Sequence, residues 1–263
     1  MSDVFENKSE KKFKVAVSSP LNEPSRRFID DLFEAGHSAF PMSLEGSIEA
    51  LEKEEVDFVV NGGTDSELFA SSIAQWAKRK NPKAVSSGIA VFVRKNEERL
   101  LFVSDGAVNL EPGLVEKLSI LENAVKVATA CGLEKPYAAA IAAVEKVDPV
   151  HQPATVDAAV LAKMCQIGQI KKVVVDGPLA LDIAMSMHAG EIKGINSPVA
   201  GNTDILLAPD LESARLMEET LIYCAGARVG RIILGGPSPI PFNHPFDSAE
   251  SRLNSLSLAS LLS

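Results

Sequence analysis

What this chain lacks already excludes several kinds of protein. No run of apolar residues approaches the roughly 18 that a membrane-spanning helix needs, so no membrane is expected as a partner. The opening residues MSDVFENKSEKK contain no apolar core of the kind a signal peptide carries. There is no Lys/Arg stripe either. Against 26 Lys and Arg stand 35 Asp and Glu, giving a formal net charge of −9, and nucleic acids need clustered positive charge, so none is expected as a ligand. The basic stretch Lys8–Lys14 is interrupted by Glu10 and reads as a solvated tail. Cysteines number only three, and Cys131, Cys165 and Cys224 are widely spaced. An odd, scattered set fits reduced thiols and a cytoplasmic location, and their apolar surroundings suggest core packing. His151 and His188 have no Cys, His or carboxylate partner at ligand spacing, so no metal is assigned.

What is present is an alternation of short apolar runs and amphipathic stretches over 263 residues, enough for one large or two modest α/β domains. Strands are expected at 13–18, 56–60, 84–94, 98–103, 136–144, 172–175, 205–207 and 232–234, with the charged turn Lys95-Asn96-Glu97 joining two of them. Helices are expected at 25–35, 45–53, 67–78, 114–131, 154–165, 179–187, 211–223 and 248–262. Such alternation implies an α/β fold with mostly parallel sheets covered on both faces.

The most informative stretch is Ile195–Asp210, INSPVAGNTDILLAPD. Its first half is loop-forming and its second half a short buried strand closed by Pro209 and Asp210. A polar, glycine-containing loop beside a strand can aim backbone N–H groups at an anion; taken alone, a tight connection with no ligand is the simpler reading. The segment after Val60 repeats the arrangement: Asn61-Gly62-Gly63-Thr64-Asp65 leads from a strand into a helix. Val173–Asp182 (VVVDGPLALD), SPVAGN at Ser197–Asn202, Pro209-Asp210 and Gly226–Gly235 occur in that order, and Phe102–Pro112 precedes them. Together these motifs resemble the phosphate acetyl/butyryltransferase family, firmly from about Ser86 onward, with SPVAGN closer to the butyryl branch.

The resemblance implies two α/β lobes folded like the isocitrate and isopropylmalate dehydrogenases, with a cleft between them. The first lobe would be 1–102 completed by 232–263, and the second 103–231. A metal–NAD dehydrogenase of that fold is not supported, since neither a GxGxxG turn nor an acidic ligand cluster is present. The implied reaction is acyl-CoA plus phosphate giving acyl phosphate plus CoA, with a coenzyme A thioester as substrate, no cofactor and a homodimer as the usual assembly. Substrate-binding candidates on the motif match are Thr64, Asp176, Gly177, Ser197, Pro198, Val199, Ala200, Gly201, Asn202 and Arg231. Helix entry alone would also explain Asp176 and Gly177, and Arg231 would serve equally as a rim arginine paired with a surface carboxylate.

Two departures from the family pattern stand out. Asn61 occupies a position where lysine is common, and Phe69 or Ala70 the position of an arginine. The Ser-Arg pair that follows the last strand in the family falls here on His244 and Pro245, while Asp247 and Ser248 match the butyryl-type D-S. Proline neither donates a hydrogen bond nor carries charge, whereas an imidazole offers at least one N–H. His244, Asp247 and Ser248 are therefore the catalytic candidates. Asp247 with Glu250 also spells a capping box for the last helix. The alternatives are a CoA-binding sensor or partner subunit without catalysis, and an enzyme using the same site for another acyl or phosphate substrate.

Overall fold

The computed structural model describes residues 4–5, 11–93 and 99–263. The charged turn Lys95-Asn96-Glu97 and Lys8–Glu10 of the basic stretch lie outside them. The chain opens with β1 (Lys14–Ser18), α1 (Glu23–Glu34), β2 (Ser38–Met42), α2 (Leu44–Glu52), β3 (Phe58–Asn61), α3 (Ser66–Lys80) and β4 (Ser87–Val93). It continues through β5 (Leu100–Ser104), α4 (Leu114–Ala130), β6 (Tyr137–Ile141), α5 (Ala154–Gln166), β7 (Val174–Leu179), α6 (Leu181–Met185), α7 (Met187–Lys193), β8 (Ile205–Leu207) and α8 (Leu211–Glu219). After a π-helical turn at Thr220–Cys224 come β9 (Arg228–Leu234), β10 (Ile240–Pro241) and α9 (Ala249–Ser260). Two compact units result: Met1–Ala90 with Arg228–Ser263, and Val91–Ala227. The borders expected from the sequence, 102/103 and 231/232, lie twelve and four residues later than these.

In the first unit β1, β2 and β3 form a parallel sheet in the order β2-β1-β3. Val15, Ala16, Val17, Val59 and Val60 are fully buried, as uninterrupted apolar strands covered on both faces must be. Burial of each such valine contributes roughly 1.5–3 kcal/mol. Strand β2 has no counterpart in the sequence reading because Pro41 interrupts it; the structure places it at the sheet edge, where a missing N–H is tolerated. Helix α1 begins at Glu23 rather than Ser25. Asn22 caps it, its Oδ1 accepting the Ser25 N–H at 3.0 Å while Ser25 Oγ accepts the Asn22 N–H at 2.9 Å, and Pro24 sits in the first turn, where its missing N–H costs nothing. Helix α3 buries Phe69, Ala70, Ile73, Trp76 and Ala77 along one face, and Trp76 Nε1 donates to Glu52 at 2.7 Å. Strand β9 pairs antiparallel with β10.

In the second unit β5, β8, β6 and β7 are parallel neighbours in that order. Asp176, Gly177 and Pro178 lie inside β7, not in a turn after it. That corrects the expectation, and the reason is again the edge: Pro178 needs no ladder N–H there. Gly177 is required by packing, since a Cβ would come within 2.8 Å of Ala140. Ser186 splits the expected helix 179–187 into α6 and α7. Of the cysteines, Cys131 and Cys165 are partly buried, and burial pushes the Cys131 thiol up to about 12. Cys224 is exposed, against the core-packing expectation.

Candidate active site

In the first unit, the carboxyl ends of the parallel strands β1 and β3 bring Ser18 and Asn61 into register. The loops leaving these ends must cross. Gly62 and Gly63 make this possible: a Cβ on Gly62 would overlap the Ser18 carbonyl oxygen, and one on Gly63 would lie 2.5 Å from the Pro20 oxygen. Thr64, nearly buried, donates to the Ser19 carbonyl at 3.0 Å and lies 3.3 Å from Ser18 Oγ. Its hydroxyl ties the two loops together. Asn61 is fully buried and donates from Nδ2 to the Thr64 and Asn243 carbonyls at 2.8 and 3.1 Å. The Oδ1 atoms of Asn61 and Asn243 have no hydrogen-bond partner among the described residues.

The loop after β10 closes over these ends. His244 is 4% exposed and its Nδ1 lies 2.8 Å from Ser66 Oγ, at the start of α3. The imidazole stands edge-on to Phe242 at 5.2 Å and stacks on Phe246 at 5.4 Å. Its backbone N–H donates to Asp247 Oδ2 at 2.9 Å. The same oxygen accepts from Arg231 Nη1 at 2.8 Å. Arg231 and Asp247 are thus a buried ion pair inside β9 and the loop, which removes the rim-arginine alternative. Arg252 of α9, fully buried, donates to the Asn61, His244 and Pro245 carbonyls. Burial lowers its pKa to about 10, partly offset by Asp247.

Asp247 does not cap the last helix. Ser248 is the N-cap, accepting the Ser251 N–H at 3.1 Å. The aspartate is engaged by Arg231 and the His244 N–H, which outcompete the capping-box geometry in this buried setting. Thr64, Arg231, His244 and Asp247 therefore share one network in the first unit, and Ser248 sits exposed at its margin. The network also contains Ser66, Asn243 and Arg252, which the sequence reading did not single out. Ser66 and Arg252 carried no local signal, and the family pattern drew attention only to their neighbours.

The remaining candidates belong to the second unit. Asp176 Oδ1 accepts the Gly177 N–H at 2.8 Å. In the SPVAGN loop the N–H of Val199 bonds to Ser197 Oγ, that of Gly201 to the Ile183 and Ala184 carbonyls, and that of Asn202 to the Val199 carbonyl. Pro198 has no N–H, and its carbonyl accepts from Asn202 Nδ2 at 3.5 Å. Ala200 is buried. Gly201 has φ +68° and passes so close to Met187 that a Cβ would overlap its backbone nitrogen. Three amides of this loop are used internally, so the tight-connection reading describes its backbone better than an open anion nest. Nearby, Asp204 receives Arg99 Nε at 2.9 Å and the Tyr137 N–H at 2.8 Å. Among the described residues no group of three or more His, Cys, Asp or Glu could hold a metal ion, and no helix is long and apolar enough to cross a membrane.

Comparison with known proteins gives this geometry its context. Residues 43–259 match the pattern of the family described as Phosphate acetyl/butaryl transferase. The chain belongs to this family. The phosphate butyryltransferase of Clostridium acetobutylicum is 41% identical over 82% of this chain and 71% of its own length. The probable phosphate butyryltransferase of Bacillus subtilis is 40% identical over 92% of this chain and 81% of its own length. At the level of fold, the crystal structure of a branched-chain phosphotransacylase from Enterococcus faecalis V583 gives a TM-score of 0.79 at 21% identity, covering 94% of this chain and 98% of that one. Within the family frame, the positive groups of this network are already engaged: Arg231 by Asp247 and Arg252 by carbonyl oxygens. His244 is the member whose side chain offers both a donor and an acceptor nitrogen when neutral.

Proposed function

We propose that this protein transfers a short acyl group between coenzyme A and inorganic phosphate. The observation that carries the reading is the 41% identity to a phosphate butyryltransferase across 82% of the chain. A catalytic protein is preferred over a CoA-binding sensor because the relatives at this level of identity bear the names of enzymes. In the reaction a phosphate oxygen attacks the thioester carbonyl, a tetrahedral oxyanion forms, and collapse breaks the C–S bond. The departing sulfur needs a proton, and His244 is our candidate to exchange it. Arg231 and Asp247 fix the backbone of the His244 loop, and Ser248 orients the following helix. Thr64 is our candidate for a phosphate contact from this unit. Asp176, Gly177 and the Ser197–Asn202 loop are assigned to the substrate side on the motif match, acting through shape more than through free amides. No cofactor beyond the CoA thioester is required. We further read the two units as lobes of the isocitrate and isopropylmalate dehydrogenase type, and the protein as a cytoplasmic homodimer.

The test is thiol release from acetyl-, propionyl- and butyryl-CoA, with phosphate present and absent. Phosphate-dependent release is expected, favouring butyryl- or propionyl-CoA, with His244→Gln lowering kcat by about 10²–10⁴ as for loss of a general acid. Release that ignores phosphate, or full activity in His244→Gln, would overturn the assignment.

A further inference from the structure

Arg215 brings a positive charge into the second unit that no carboxylate matches among the described residues. It lies on α8 and is half-buried. Its one hydrogen bond to a described residue runs from Nη2 to the Gly106 carbonyl at 3.3 Å, and its buried Nε has no partner among them. Glu212, Glu218 and Glu219 lie at helical spacing from it on the same helix, yet none of them is its ion-pair partner. A guanidinium carries five N–H donors, so most of these are unused. Donors of a charged group are costly to bury unpaired, which points to a partner that arrives with a ligand. The position is one where ligands collect. Strands β5 and β8 are parallel neighbours, Gly106 follows the carboxyl end of β5, and Pro209-Asp210 leads from that of β8 into α8. In α/β sheets ligands bind outside such ends. The loop that holds Arg215 is itself held, since Asp105 accepts the N–H groups of Ala107, Val108 and Asn109 at 2.9, 3.1 and 2.9 Å.

We infer that Arg215 is a substrate-binding residue whose guanidinium takes the oxygens of a phosphoryl group, that of inorganic phosphate or one belonging to coenzyme A. The inference rests on the acyl-transfer reading above and adds to it. The arginines of the first unit, Arg231 and Arg252, are engaged by Asp247 and by carbonyl oxygens, whereas Arg215 has donors to spare. Its planar fork matches two oxygens of a tetrahedral phosphoryl group, which a lysine ammonium does not. The role is one of binding, and no bond is made or broken at the guanidinium. The carboxylates around it are Asp105 and Asp210, each accepting backbone N–H bonds, Glu218 against Gly106, and Glu212 and Glu219 on α8. They temper the attraction for an anion, and bidentate contact is what outweighs them.

The experiment compares the full-length wild type with Arg215→Gln and Arg215→Lys in thiol release and in melting with ligand. Arg215→Gln is expected to raise the KM of the substrate it contacts by about 10–100-fold, with Arg215→Lys recovering part of the loss. A rise confined to inorganic phosphate assigns the contact to that substrate. A rise for butyryl-CoA that is absent with butyryl-pantetheine, which carries no phosphate, assigns it to the coenzyme. KM values for phosphate and butyryl-CoA that both stay within about twofold of wild type would overturn the inference. So would an equal rise for phosphate, butyryl-CoA and butyryl-pantetheine, the mark of general distortion. Should Arg215→Gln fail to fold, Arg215→Lys decides, since it keeps the charge and loses the fork: a raised KM for one phosphate-bearing substrate supports the contact and wild-type values oppose it. If the wild type turns over no acyl-CoA, the functional reading fails and melting decides the site. Inorganic phosphate or CoA should then raise the melting temperature of the wild type and not of Arg215→Gln, and equal shifts in both would oppose the inference.

Discussion

Replacing Asp247 by asparagine would take one charge out of a pair that has almost no access to solvent. Arg231 and Asp247 are 3% and 7% exposed, with 2.8 Å between Nη1 and Oδ2. The guanidinium cannot deprotonate to escape, so Asp247→Asn takes the carboxylate away from a buried charge, at a cost of about 3–5 kcal/mol. Arg252 suffers too, because Asp247 is the charge that opposes its desolvation. For a protein of this size each kcal/mol is worth roughly 2–4 °C, so the melting temperature should fall by roughly 6–20 °C. Arg231→Met should cost less, since the carboxylate keeps the His244 N–H as a donor. Combining Arg231→Met with Asp247→Asn removes both charges and should recover a large part of the loss, the signature of a coupled pair. Thermal melting of the four proteins by circular dichroism at pH 7 provides the comparison. A fall below about 3 °C in Asp247→Asn, or a double variant whose loss is the sum of the singles, would refute the buried-pair reasoning.

Gly62→Ala should destabilise the first unit by about 1–3 kcal/mol, because its Cβ meets the Ser18 carbonyl oxygen and the crossing loops must separate; urea unfolding measures it, and an unchanged midpoint would contradict the geometry. A pH effect is expected at His37, whose pKa lies below the usual 6.5 through burial first and the Lys12 charge second, and whose Nδ1 accepts the Phe13 N–H at 3.1 Å. Below 6.5 the unfolded chain binds this proton before the folded one does, so the stability contribution is complete above 6.5 and is lost as pH falls through the lower folded value. His37→Gln should therefore lose less stability than wild type between pH 7.5 and pH 5, and parallel melting profiles for the two would count against it.

The sequence by itself determined the features that are local. The apolar runs ending at Ser18 and near Val60 had to be buried strands, and the spacing of Phe69, Ile73 and Trp76 could only form one face of a helix. Ordered motifs identified the family, because residue types in a fixed order along the chain are legible without any tertiary contact. The tertiary structure decided everything that depends on which elements become neighbours. Pro41 and Pro178 argue against strands until their strands are seen to lie at sheet edges. Asp247 spells a helix cap in sequence, but burial beside Arg231 recruits its carboxylate for an ion pair that no local pattern announces. The Ser66–His244 contact joins the start of one helix to a loop far along the chain. Periodicity and capping rules reach only a few residues, whereas such a contact is set by the packing of strands and helices that brings these two segments together.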